Sequence, residues 1–167
     1  ERKARSFIVQ AGHVRGLAVN IRGQLAVAAD NAVLFYGSDG LLERKTAADR
    51  PVRAVRFDAR GRLFVAFKDR IARLNDGGTF ELLGAPLGGP ESALTSLALA
   101  DNGDIYAADS GRRLIWRLDA TGQVIRQIRP SEKGFSVPRG FFPIAWHNGQ
   151  LFVAEPGRHQ VQTYSPD

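Results

Sequence analysis

A glycine followed by a short run of small and aliphatic residues returns four times in this chain, and few folds accommodate that rhythm. Gly23 opens GQLAVAAD, Gly61 opens GRLFVAFKD, Gly103 opens GDIYAAD and Gly149 opens GQLFVAE, at spacings of 38, 42 and 46 residues. An internal period of this size marks a repeat architecture in which each unit is one supersecondary element. The unit is clearest in 102–128, NGDIYAADSGRRLIWRLDATGQVIRQI. Three runs there alternate apolar and polar side chains, the pattern of half-buried strands whose successive residues face opposite sides of a sheet. The joints, Asp109-Ser110-Gly111 and Asp119-Ala120-Thr121-Gly122, offer side-chain hydrogen bonds and permissive dihedrals, so adjacent runs fold back as hairpins. With 97–100 in front, the unit is a four-stranded antiparallel sheet.

The rest of the chain repeats it. First strands are expected at 16–20, 54–58, 96–100 and, less regularly, 143–147, with third strands at 32–36, 70–75, 113–118 and 159–165. Outer strands are expected at 41–46, 79–83 and 123–129. The fourth unit lacks an outer strand, while 5–10, RSFIVQ, is a strand-like run without a partner. The prediction is an all-β fold, a β-propeller of four-stranded antiparallel blades at about 14–47, 52–84, 94–130 and 140–167. The N-terminal strand 5–10 would complete the last blade and hide its edge. No helical periodicity is present, and Gly and Pro punctuate the chain at short intervals.

Composition excludes more than it identifies. At 167 residues the chain suits one domain with a sizeable core. No apolar run approaches the roughly 20 residues of a membrane helix. Absence of cysteine removes disulfides, thiolate metal sites and cysteine nucleophiles. The chain has no methionine either, so a signal peptide or anchor is expected to have been cleaved or to lie outside it. Net charge is +6, and nineteen of the 23 basic residues are arginine. Codon bias accounts for that as readily as an anionic partner does, so the placement of the arginines decides between them.

In a four-stranded blade the second-to-third turns share one face with the connections between blades. The long connections 47–52, 84–94 and 130–140 all fall on this face, where binding usually lives. By sequence it carries ten basic residues against seven acids, whereas the opposite turns are rich in aspartate. Arg15, Arg53 and Arg139 stand at the start of three of the four inner strands, with Thr95 and Ser96 in that place in the third blade and His13 nearby. Inner strands surround the axis, so these side chains are expected to cluster at the channel mouth as an anion site. The structural alternative is that Asp49, Glu91 or Glu132 pairs with the arginines.

Asp30, Asp69, Asp109 and Glu155 end the second strands. They could form a carboxylate ring for a hard cation. The favoured reading is structural, each carboxylate accepting backbone N–H groups of its own turn or pairing with a neighbouring arginine. His13, His147 and His159 do not converge. No nucleophile–base order or phosphate loop stands out, and no cofactor or metal site is expected.

IYAADSGRRLIWRLDATG and LFVAEPGRHQVQTYSPD resemble NHL repeats in their strand, Asp-x-Gly turn, strand and Asp-Gly turn. Val137-Pro138-Arg139-Gly140 is similar to that family's lead-in to the first strand, with Phe141-Phe142-Pro143 as an insertion. Blades one and two lack the turn glycine. The resemblance implies a propeller; the familiar NHL ring has six blades, so four repeats read as a segment of one. It also leans towards an extracytoplasmic setting. NHL proteins include RNA-binding, protein-binding, sensor and enzymatic members. Amidating lyases of this type hold zinc with several histidines at the channel mouth, where only His13 would lie here. Gluconolactonase-like propellers need acidic residues and asparagines around the channel, and here that place is basic. The expectation is therefore a non-enzymatic recognition platform for a protein or peptide on the arginine-rich face. RNA is the second partner class, and a lactonase- or lyase-like enzyme the third reading.

Overall fold

The computed structural model describes residues 6–166. The first repeat folds as β1 (Val14–Val19), β2 (Leu25–Ala29), β3 (Ala32–Tyr36) and β4 (Leu42–Ala47), paired in that order as one antiparallel sheet. The second is β5 (Ala54–Phe57), β6 (Leu63–Ala66), β7 (Ile71–Leu74) and β8 (Phe80–Leu83), and the third β9 (Leu94–Leu99), β10 (Ile105–Asp109), β11 (Leu114–Leu118) and β12 (Val124–Ile128). The fourth is a three-stranded sheet of β13 (Ile144–His147), β14 (Gln150–Glu155) and β15 (Gln160–Tyr164). Helical structure among the described residues is confined to single 3-10 turns at Gly89–Glu91 and Pro156–Arg158. The expected all-β fold, a propeller of four blades, is the fold observed.

The repeat glycines sit where a side chain would be strained. Gly23, Gly61, Gly103 and Gly149 have φ of 78°, 77°, 94° and 76°, the left-handed region that glycine enters without steric cost. The residues before them complete the turns. Asn20 Oδ1 accepts the N–H groups of Arg22 and Gln24 at 2.9 and 3.0 Å, and Asp58 Oδ1 those of Arg60 and Arg62 at 3.0 and 2.8 Å. The aspartates of this face thus have a local, structural cause.

Neighbouring blades bury the residues that alternation assigns to sheet faces. Ala26, Ala28, Val33 and Phe35 of the first meet Val55, Val65, Phe67 and Ala72 of the second. Ile71 and Leu83 meet Leu97, Leu114 and Trp116 across the next interface, and Tyr106 and Ile115 meet Ile144, Leu151 and Val153 across the third. The inner strands β1, β5, β9 and β13 consequently lie side by side. On the outward flanks of the first and last blades Leu17, Val19 and Val161 are exposed.

One detail of the expected closure is corrected. Residues 6–10 form no strand and do not complete blade four, and Arg5 lies outside the described residues. The segment instead covers blade one: the Phe7 ring lies 4.8 Å from that of Tyr36, and Val9 and Ala11 pack on Val27, Ala29 and Leu34. The reason is apolar demand. Phe7, Val9 and Ala11 alternate along one side of an extended segment, and the face they cover would otherwise expose Leu34 and Tyr36 to water. Beyond β15, the carbonyl of Pro166 accepts from Arg117 and Arg126, and that of Ser165 from Arg126, so this end of the chain is held against blade three.

Candidate functional site

The acids that end the second strands pin the incoming connections. Asp109 is fully buried and accepts hydrogen bonds from Ser92 Oγ (2.7 Å), the Ala93 N–H (2.9 Å), the Arg112 N–H (3.1 Å) and Trp116 Nε1 (3.0 Å). Glu155, also buried, accepts from the Ser136 N–H at 2.7 Å and the amides of Gln160 and Gln162 at 2.8 and 2.6 Å. Burial alone would push the Glu155 carboxyl up. The Ser136 N–H, the Gln160 amide, Arg158 and the Gln162 amide together outweigh it and hold the group below the usual carboxylate range. Asp30 accepts from the N–H groups of Gly12 and His13 at 2.8 and 2.9 Å. The Gly12 bond is the main reason its pKa is lowered. The structural reading holds for these three, with one refinement: the groups they grip belong mainly to the lead-in of their own blade's inner strand. Blade two departs because its register places Phe67, not an acid, where Asp109 stands in blade three. Asp69 makes no side-chain hydrogen bond or ion pair among the described residues.

The same face sorts its cations into two groups. Arg50 is paired with Asp49 through bonds of 2.8 and 2.6 Å. Arg112 donates to the Gly88 carbonyl at 2.7 Å with Glu91 at 4.0 Å, Arg113 to the Phe135 carbonyl at 2.8 Å and Arg70 to the Gly84 carbonyl at 3.3 Å. Arg158 lies 3.5 Å from Glu155. These five are occupied in holding loops. The side chains of Arg15, Arg53 and Arg139 have no hydrogen bond or ion pair among the described residues: Asp49 pairs with Arg50, Glu91 lies near Arg112, and Glu132 forms no ion pair with any of the three.

The sequence-derived site residues divide accordingly. Arg15, Arg53 and Thr95 line one cavity of about 320 Å³ at the channel mouth, together with Val14, Gly140 and Phe141. Arg139 is exposed on the neighbouring loop and does not line it. Ser96 is buried below, its Oγ accepting the Ile144 N–H at 3.2 Å and so joining blades three and four. His13 turns away, its Nδ1 lying 3.3 Å from Asp30. Thr95 Oγ1 is buried and has no hydrogen-bond partner among the described residues. No carboxylate lines the cavity, so Arg15, which is exposed, and Arg53, which is half-buried, bring positive charge to it with no acid facing them.

Sequence reasoning missed Arg56. It borders a second cavity of about 200 Å³ that shares Arg15, Thr95 and Phe141 with the first. From β5 its side chain crosses to the next two inner strands, Nε donating to the Leu97 carbonyl at 3.1 Å and Nη2 to the Ile144 carbonyl at 3.3 Å. Burial pushes its pKa down, but an arginine remains charged at any physiological pH. The available signal was an arginine within a short inner strand of otherwise apolar residues, AVRF.

No family model and no curated protein matches this sequence. Solved structures do match its fold. A catalytically inactive virginiamycin B lyase from Staphylococcus aureus with quinupristin superposes with a TM-score of 0.68 at 15% identity, over 96% of this chain and 58% of that one. A protein of unknown function from Bacteroides thetaiotaomicron gives a TM-score of 0.72 at 14% identity, over 92% and 41%. The Cps50 (Swd1) β-propeller domain of Myceliophteria thermophila gives 0.68 at 13% identity, over 92% and 54%. The chain spans about half the length of such propellers. At these identities the likeness concerns fold alone.

Proposed function

We propose that this chain is an NHL-like propeller acting as a non-enzymatic recognition platform, which binds a protein or peptide through the arginine-bearing long-loop face. One observation carries the reading: Arg15 and Arg53 converge on a cavity that contains no carboxylate. A partner's carboxylate placed there accepts charge-assisted, bidentate hydrogen bonds and relieves the repulsion between the two guanidinium groups. The polar side chains of the cavity, Arg15, Arg53 and Thr95, are hydrogen-bond donors suited to holding an anion. The apolar rim favours a peptide over RNA. Phe141 is the aromatic side chain at this cavity, whereas single-stranded RNA is held by several stacking surfaces.

Binding of an acidic peptide pool and of mixed-sequence single-stranded RNA, each at 50 and 200 mM salt, tests this. The reading expects peptide binding that Arg53→Ala weakens by about tenfold or more, and only weak RNA binding. RNA binding with a steep salt slope, reduced equally by removal of any loop arginine, would assign the face to phosphate backbones instead.

A further inference from the structure

The cavity at the mouth has a neighbour. A second cavity shares Arg15, Thr95 and Phe141 with it and is bordered by Arg56 of β5, three residues further along the chain than Arg53, so positive charge occurs at two levels of the inner strand. Between these levels stand the apolar side chains of Leu17, Val55, Leu97, Phe141 and Pro143, interleaved with Thr95 and Ser96. Arg56 spends Nε and Nη2 on strand carbonyls, which fixes its plane, and leaves Nη1 without a partner among the described residues. The hydroxyl of Thr95, shared by both cavities, is likewise unspent.

Resting on the reading above, we infer that the site takes a dicarboxylate end-on, one carboxylate on Arg56 and the other between Arg15 and Arg53, with Thr95 donating to the linker-side oxygen. A ligand that matched only the mouth would leave the half-buried Arg56 beside no anion. A ligand charged along its whole length, such as a polyphosphate, would place some of its anionic oxygens against Leu17, Val55, Leu97 and Pro143, which offer them no hydrogen bond. Two carboxylates joined by a few methylenes match charge to charge and hydrocarbon to hydrocarbon. Two sources supply that chemistry: a free short dicarboxylic acid, or the C-terminal glutamate or aspartate of a peptide, which carries an α-carboxylate and a side-chain carboxylate together.

Calorimetric titration of the chain tests the inference, with acetate, glutarate, a pentapeptide ending in free glutamate, and the same peptide as its C-terminal amide. Glutarate is expected to bind at least tenfold more tightly than acetate. Arg56→Gln is expected to bring glutarate down to the level of acetate while leaving acetate unchanged. Arg56→Lys keeps a charge but not the planar fork and is expected to retain part of the preference, which also serves if the glutamine variant unfolds. Glutarate no tighter than acetate in the parent protein, or an Arg56→Gln protein that melts earlier yet keeps its glutarate preference, would overturn the inference and leave Arg56 as a tie between strands. A free-acid peptide at least tenfold tighter than its amide identifies the peptide terminus as the source. Binding of glutarate without either peptide supports the two-level site while contradicting the peptide-binding function.

Discussion

At the scale of single residues, the chain uses chemically similar side chains for opposite ends. The Asp109 carboxylate accepts four hydrogen bonds, two of them from buried side chains, whereas the Arg53 side chain has no hydrogen bond or ion pair among the described residues. Asp109→Ala is therefore expected to destabilise the protein by about 3 kcal/mol or more, because each buried donor left unpaired costs roughly 1–3 kcal/mol. Denaturant unfolding of the variant measures this directly. Arg53→Ala is expected to be neutral or slightly stabilising without ligand, since it removes like-charge repulsion. With an anionic ligand bound it should cost on the order of 1.5–3 kcal/mol of affinity, the range for hydrogen bonds to charged groups. Glu155 adds a pH dependence. Its folded pKa is depressed, so its contribution to stability is complete above the unfolded value of about 4.3 and is lost as pH falls through the lower folded value. Thermal melts below about pH 4.3 should show the parent losing stability while Glu155→Gln, already weaker at neutral pH, changes less over that window. Parallel curves would exclude Glu155 as a source of acid sensitivity.

At the scale of elements, strand positions were legible in the sequence and strand partners were less so. The expected third strand at 32–36 is β3 itself, and the expected outer strand at 123–129 is β12 with one residue fewer at each end. Period-two alternation and turn chemistry are local, and both act within a few residues of the strand they define. The segment 6–11 shows where locality ends. Alternation of Phe7, Val9 and Ala11 specifies an apolar side, but the surface that covers it is settled by which sheet face has most to hide. Deleting residues 1–10 is accordingly expected to uncover Leu34 and Tyr36 of blade one, lower the melting temperature and promote association. Sedimentation of the truncated chain checks this, and a monomer that melts like the parent would refute the packing role. Arg56 was illegible for a related reason. An arginine inside AVRF can face the channel or a neighbouring blade, and only the arrangement of β9 and β13 shows that it reaches Leu97 and Ile144. At the mouth, recurrence of arginine at equivalent strand starts indicated a cluster. It could not indicate that the connection carrying Arg139 would leave that residue outside the cavity.

At the scale of the molecule, the propeller is a scaffold whose two faces do different work. One is closed by aspartate- and asparagine-gripped turns, as at Asn20 and Asp58. The other carries the long connections, fixed by Asp30, Asp109 and Glu155, and surrounds the channel mouth. The Asp30 carboxylate fixes the connection before Arg15, and the Asp30 carbonyl accepts the Val52 N–H at 2.9 Å beside Arg53, so both arginines stand on fixed backbone, the preorganisation on which the proposed anion binding would draw. Because the paired arginines of this face are occupied, ligand binding should respond to few of its many charges. The most direct test is an NMR titration of arginine Nε–Hε signals with glutarate at constant ionic strength. The account predicts that the signals of Arg15 and Arg53 shift together and saturate, while those of Arg50 and Arg139 stay in place; small, unsaturating shifts shared by all the arginines of the face would contradict it.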